Sequence, residues 1–183
     1  PNASARSHLT TLVATLTVFP LLLAIPFHEA IGTTTLLDAW FEMVSDLTTT
    51  GATVYETADR LNASLHLWRA TVGWMGGFLM WVAAAAILAP LNLGGFEVRS
   101  SGRSGGYLTQ FAETVHPSER LIRVTVKLFP IYASLTGLLW MGLAIAGESS
   151  VVALCHAMAT LSTSGISPVE GLYLSQAGFA GEV

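Results

Sequence analysis

The sequence has few charged side chains and almost no cysteine. Charged residues make up 11% of the 183 positions, and Cys155 is the single cysteine. Because a soluble domain usually carries about 25% charged residues, this composition disfavours a soluble fold. One cysteine excludes an internal disulfide framework and a cysteine zinc cluster. A net charge of -4 with scattered arginines gives no basic surface for nucleic acid.

Three long stretches contain no charged residue at all. They lie between Arg6 and Glu29, between Arg69 and Glu97, and between Lys127 and Glu148. About 20 apolar residues are enough to span a bilayer core, so the sequence predicts an all-α membrane protein. Its spanning helices are expected near 9–27, 65–89 and 121–147. The second of them carries Gly73 and Gly77, a spacing that lets another helix approach closely.

Two further apolar stretches, 36–47 and 150–161, are too short to span. Each would form a half-helix of about 18 Å, and each runs into a polar loop, TTTGAT or STSGIS. A shift of 114 residues places 47–51 on 161–165 and the first spanning stretch on the third. We therefore predict a repeated unit of helix, half-helix, loop and helix. The first unit is 1–89, a connecting loop is 90–120, and a second unit, 121–183, stops before its last helix.

The distribution of charge predicts how the chain is oriented. Five of the eight basic residues lie in or beside the 90–120 loop, and Arg6 precedes the first helix. The segment between His28 and Leu65 is acidic instead. The positive-inside rule therefore predicts that the 90–120 loop is cytoplasmic. The two polar loops then open to the outside of the cytoplasmic (inner) membrane.

The polar loops have the chemistry of a cation site. Non-helical backbone at membrane depth is tolerated where it is buried in protein or lines a water-filled cavity. Glycine allows a positive φ, which can turn carbonyl groups toward one axis, and carbonyl rings form potassium filters. Each half-helix would direct the negative end of its dipole at a cation. The lack of carboxylates in both loops favours a monovalent ion over calcium.

The chain resembles the TrkH/KtrB-type subunits of the Trk/Ktr/HKT potassium-transporter superfamily over about residues 9–168. The stretches that carry the resemblance are FEMVSDLTTTGATVYE, LHLWRATVGWMGGFLMWVAAAAILAPLNLGG and LCHAMATLSTSGISP. The resemblance implies four helix–pore half-helix–filter loop–helix units of potassium-channel type around one pore, the first two of them in this chain. It implies uptake of K⁺ through a carbonyl-lined filter, without enzymatic activity or an organic cofactor.

The resemblance also implies site residues and partners. The implied potassium-filter positions are Thr49, Thr50, Gly51, Ala52, Thr163, Ser164, Gly165 and Ile166. The implied partners are the lipid bilayer, a second copy of the full-length subunit and a cytosolic nucleotide-binding regulatory subunit. Three residues depart from the family pattern: Ser164 replaces a common glycine, Ile166 replaces a frequent aromatic, and Asp46 is atypical in the first half-helix. The second loop is therefore expected to be stiffer or differently shaped.

Three other polar residues lie close to the predicted loops. Asp46 is expected to bond to nearby backbone N–H groups rather than to act on the cation, since a charge at a helix C-terminus opposes the dipole. Arg69 either braces the first loop or extends to the membrane interface. His156 is expected to be a packed side chain, because a metal site would need more ligands.

Two alternative functions remain open from sequence. An intramembrane hydrolase would use Ser162, Thr163 or Ser164 with His156, although no acid orients this histidine and the first loop has no counterpart to it. A sodium-coupled or less selective monovalent cation transporter is the other alternative. Broken-helix carriers typically contain inverted repeats, whereas these two units run parallel.

Overall fold

Every regular element in the part of the chain that the computed structural model describes, residues 2–55, 57–85 and 117–169, is helical. The predicted all-α class is therefore confirmed. The elements are α1 Asn2–Ile31, α2 Leu36–Leu47, a 3₁₀ turn at Ala58–Arg60, α3 Ala63–Ala83, α4 Pro117–Ile145 and α5 Ser150–Ser162. The last part of the second predicted span, most of the 90–120 loop and the end of the second unit lie outside the described residues.

The two short helices lie where the sequence predicts them. α2 has the predicted bounds, and α5 extends one residue further than expected. A capping box fixes the start of α2, with the Thr35 hydroxyl accepting from the Asp38 N–H. The predicted loop of residues 90–120 was too long at its end, because α4 already begins at Pro117. Proline fits the first turn of a helix, where its missing N–H is not needed.

In the part of the chain that the structure describes, α1 and α4 contain two segments that are long and apolar enough to cross a membrane. These are Thr10–Ile31 and Leu121–Ile145, of 22 and 25 residues. Only 17% and 11% of their most apolar windows are buried, which distinguishes them from the core helix of a soluble protein. Such exposed apolar surface is stable against lipid. The described residues of α3, which include His66 and Arg69, do not meet the same test of length and apolarity.

α3 packs against all four other helices and brings the ends of α2 and α5 together. Three of its glycines make this possible. A Cβ at Gly76 would overlap the carbonyl oxygen of Leu47 at the end of α2. A Cβ at Gly77 would lie 2.7 Å from Cβ of Ser162 at the end of α5, and Gly73 lies against the loop that follows. The close helix approach predicted at Gly73 and Gly77 is confirmed at Gly77, whereas Gly73 meets the loop after α5.

α4 is fixed on α3 by a buried aromatic side chain. The Tyr132 hydroxyl donates to the Trp74 carbonyl at 3.0 Å, and the Trp74 indole N–H donates to Thr136 Oγ1 at 2.8 Å. Tyr132 also packs against the rings of Phe78 and Trp81. These contacts set the register of α4 on α3, and α3 in turn supports both short helices.

Candidate functional site

The two short helices end with the same pattern of backbone hydrogen bonds. In each case the two residues after the last turn donate to carbonyls three and five residues earlier. The bonds are Thr49→Asp46 (3.0 Å) and Thr50→Ser45 (2.9 Å) after α2, and Thr163→Thr160 (3.2 Å) and Ser164→Ala159 (3.0 Å) after α5. This is the Schellman arrangement, which satisfies the last carbonyls of a helix. Matching bonds in the two helices lie 114 residues apart.

A threonine takes the left-handed position in both turns. Thr49 has a φ of 57° and Thr163 a φ of 58°, although glycine usually occupies this place in a Schellman turn. Positive φ is a true outlier for a β-branched residue. Gly51 and Gly165 follow two residues later with φ values of 71° and 67°. Since strained backbone collects at functional sites, this shared shape marks both loops as candidates.

The two loops are in direct contact with each other. A Cβ on Gly51 would overlap the carbonyl oxygen of Ser164, so the first loop lies against the backbone of the second. The structure thus brings predicted filter residues from both loops together. Those with exposed side chains or backbone are Thr50, Ala52, Thr163 and Gly165.

Ser164 and Ile166 face the protein rather than the open side of the loops. Both are buried, and both lie against Gly73 of α3. The Ser164 hydroxyl lies 3.0 Å from the Ser162 hydroxyl, within hydrogen-bond distance. The Ser164 side chain is therefore committed to packing, whereas its carbonyl lies at the contact between the loops.

Hydroxyl groups hold the first loop against its own helix. The Ser45 hydroxyl donates to the Ala52 carbonyl at 2.7 Å, which folds the loop back over the end of α2. The Thr48 hydroxyl donates to the Val44 carbonyl and shares a 2.8 Å hydrogen bond with the Thr50 hydroxyl. The sequence analysis did not single out Ser45. In the sequence, Ser45 is marked by being a small polar residue in the last turn of α2.

A buried group of three charges lies behind the first loop. Arg69 of α3 donates to both carboxylate oxygens of Asp46, at 3.2 and 3.3 Å. Its Nη2 also lies 2.8 Å from Oε2 of Glu42, an ion pair without the alignment of a hydrogen bond. The Arg69 side chain is 6% exposed and both carboxylates are 0% exposed. The backbone partners expected for Asp46 were therefore wrong, and so was the interfacial position considered for Arg69.

Glu42 connects this charge group to the first loop. Its Oε1 accepts from the Thr53 hydroxyl at 2.7 Å and from the Val54 N–H at 2.6 Å. The next residue, Tyr55, donates from its hydroxyl to Thr34 Oγ1 at 3.1 Å. Burial raises the pKa of Tyr55, so this hydroxyl remains protonated at neutral pH. Sequence analysis missed this role of Glu42. The feature that could have indicated it is the spacing of Glu42 and Asp46, two acids four residues apart on the same short helix.

The second loop has a simpler link to its helix. His156 Nε2 lies 3.0 Å from Ser167 Oγ, and the ring is half-buried as expected for a packed histidine. His156 thus contacts Ser167 and not Ser162, Thr163 or Ser164, the residues that a hydrolase would use as nucleophile. The Ser162 hydroxyl, for example, donates to the Met158 carbonyl at 2.8 Å. The geometry therefore gives no support to the hydrolase alternative.

An open cleft of about 370 Å³ runs beside the second loop. It is lined by Thr160, Thr163 and Gly165, with His156 and Ser167 at its edge. Thr163, Gly165 and Ser167 are exposed, so a small solute in the cleft can approach this loop at these residues.

The chain is similar to a family of cation transport proteins. The family profile of TrkH, described as a cation transport protein, matches residues 2–170. The Trk system potassium uptake protein TrkI of Halomonas elongata is 33% identical over 132 residues, which cover 72% of this chain and 25% of the relative. TrkH of Vibrio parahaemolyticus is 32% identical over 130 residues, covering 71% and 26%. TrkH of Escherichia coli K12 is 33% identical over 133 residues, covering 73% and 26%.

The chain spans about a quarter of the length of these curated relatives. No solved structure matches it significantly. The family profile covers almost the whole chain, including both short helices and both loops. This protein therefore belongs to the TrkH family of cation transport proteins, which are transporters and not enzymes.

Proposed function

We propose that this chain supplies two loops of a pore through which K⁺ is taken up across the cytoplasmic (inner) membrane. The observation that carries the proposal is the contact between two loops of the same backbone shape, at Gly51 and Ser164. Each loop follows the C-terminus of a short helix, where the dipole favours a cation. The curated relatives are potassium uptake proteins by name, which supports K⁺ as the transported ion.

The proposed filter positions are the eight that sequence analysis selects. They are Thr49, Thr50, Gly51, Ala52, Thr163, Ser164, Gly165 and Ile166. Threonine hydroxyls and backbone carbonyls are hard oxygen ligands that can replace the hydration shell of an alkali cation. Since Ser164 and Ile166 are buried through their side chains, their contribution would come from backbone carbonyls.

The wider arrangement is proposed from the family. Units 1–89 and 121–183 would be the first two of four around one pore, joined by a cytoplasmic connection over 90–120. The full-length subunit would form a homodimer and bind a cytosolic nucleotide-binding regulatory subunit. The exposed apolar surfaces of α1 and α4 support a position in lipid.

Growth and ion uptake test this function directly. The full-length protein is produced in a bacterium that lacks its own potassium uptake systems, with the empty vector as control. We expect growth on limiting potassium and saturable uptake of radioactive rubidium that excess sodium does not inhibit. Equal inhibition by sodium and potassium would indicate the less selective cation transporter. Failure to take up rubidium despite normal abundance in the membrane would contradict the proposal.

A further inference from the structure

The three buried charges are too well connected to the first loop to be only a packing feature. Two carboxylates and one guanidinium are removed from solvent, and such groups are costly to bury unless their geometry is good. Arg69 meets Asp46 through two N–H groups, the fork geometry that makes arginine pairs specific. Glu42 connects the charge group to the loop, because its other carboxylate oxygen accepts hydrogen bonds from Thr53 and Val54.

The second loop has an equivalent link with different chemistry. The 114-residue offset places His156 at the position of Glu42 and Ser167 at the position of Thr53. In both units the helix residue therefore contacts the loop hydroxyl, at 2.7 Å in the first and 3.0 Å in the second. Thr160 occupies the position of Asp46, so this second link lacks the matching carboxylates. The same two positions link each loop to its helix, and among the described residues the charged group from α2 and α3 is found at the first loop.

We propose that Glu42 and Arg69 are positioning residues of the first loop, and that with Asp46 they form an ionic brace that sets cation preference. The brace is the group Glu42, Asp46 and Arg69. It acts by holding Thr53 and Val54, which follow Gly51 in the loop, in one place relative to α2. The second loop is linked through the contact between His156 and Ser167, and we expect this link to hold it less firmly than the brace holds the first. This inference rests on the proposed function as a cation pore.

A set of variants in the full-length protein separates positioning from simple stability. Glu42→Gln keeps the shape of the side chain but removes its charge, and Arg69→Met removes the partner. Thr53→Val, at an exposed residue, removes one of the two hydrogen bonds from the loop to Glu42 and leaves the buried charges in place. Arg60→Met removes an exposed positive charge nearby and serves as the control.

The measured quantity is the ratio of rubidium to sodium uptake per protein molecule in the membrane. We expect about a tenfold fall in this ratio for Glu42→Gln and Arg69→Met, and no greater fall for the double variant, because coupled residues are not additive. Thr53→Val should lower the ratio in the same direction. Arg69→Lys should recover part of it, because it restores the charge but not the fork. Arg60→Met should keep the wild-type ratio.

The results also distinguish this inference from the proposed function. If the wild-type protein takes up rubidium and the brace variants change only abundance, the charges are structural and the inference is wrong. An unchanged ratio in Thr53→Val contradicts it even if the buried variants fail to fold. If the wild-type protein takes up no rubidium, the proposed function itself fails.

Discussion

At the scale of single residues, Gly51 is where the two loops touch. Its φ is 71°, and a Cβ would overlap the Ser164 carbonyl. Gly51→Ala should therefore push the loops apart as well as strain the backbone. We expect the preference of the full-length protein for rubidium over sodium to fall at least tenfold, while its abundance in the membrane changes little.

Gly32 offers a matched control for this change. It has a φ of 69°, and a Cβ there would meet nothing within 4 Å. Gly32→Ala carries the same left-handed strain, about 1 kcal/mol, without any contact to the loops. It should keep the wild-type ion preference. Equal effects of the two substitutions would show that strain alone, and not the contact between the loops, is responsible.

At the scale of helices and loops, features that depend on neighbouring residues could be predicted from sequence more fully than contacts between distant residues. The bounds of α2 follow from Thr35 and Asp38 at its start and from the polar TTTG stretch at its end, all of which lie within a few residues. The partner of Asp46 could not be read in this way. Arg69 lies 23 residues away on another helix, and the pairing depends on which face of α3 meets α2.

The close contact of α3 with α2 gives a prediction about stability. A Cβ on Gly76 would overlap the Leu47 carbonyl, which is backbone and cannot move aside alone. Gly76→Ala should therefore separate α3 from the end of α2 and destabilise the fold by about 1–3 kcal/mol, the usual cost of overpacking. Thermal stability of the full-length protein in detergent, followed by size-exclusion chromatography after heating, measures the effect.

Helix α4 contains two glycines that serve as controls. A Cβ at Gly137 or Gly142 would meet nothing within 4 Å. Alanine at either position should be neutral or slightly stabilising, because alanine favours a helix over glycine by about 1 kcal/mol. Loss of thermal stability in these variants equal to that of Gly76→Ala would refute the explanation based on close packing.

At the scale of the whole molecule, orientation in the membrane is predicted from charge alone. Ser104 lies in the 90–120 connection, in or beside which five of the eight basic residues lie, and is outside the described residues, whereas Asp59 lies in the acidic segment before α3. Cysteine at 59 should react with an impermeant thiol reagent added to intact cells, and cysteine at 104 should not. The unsubstituted protein is the control, because Cys155 is buried. The reverse labelling pattern would overturn the orientation.

The likeness of the two short helices and their loops could be predicted from sequence, but the difference in how the loops are held could not. A single offset aligned apolar stretches and Thr/Ser-Gly loops, because these depend on residue type at fixed spacing. The same alignment showed Glu42 opposite His156 without showing that both contact the loop. Such contacts depend on how each loop folds back over its helix, which residue types alone do not specify.

The contact between Gly51 and Ser164 has a consequence for biosynthesis. The two residues are about 110 positions apart, and a ribosome adds about 5–20 residues per second. The first loop is therefore made some 6 to 20 seconds before its neighbour emerges. Every member of the ionic brace lies between Glu42 and Arg69, so those contacts can form during the interval. The first loop can thus acquire its shape during translation, and the second loop can then pack against it at Gly51.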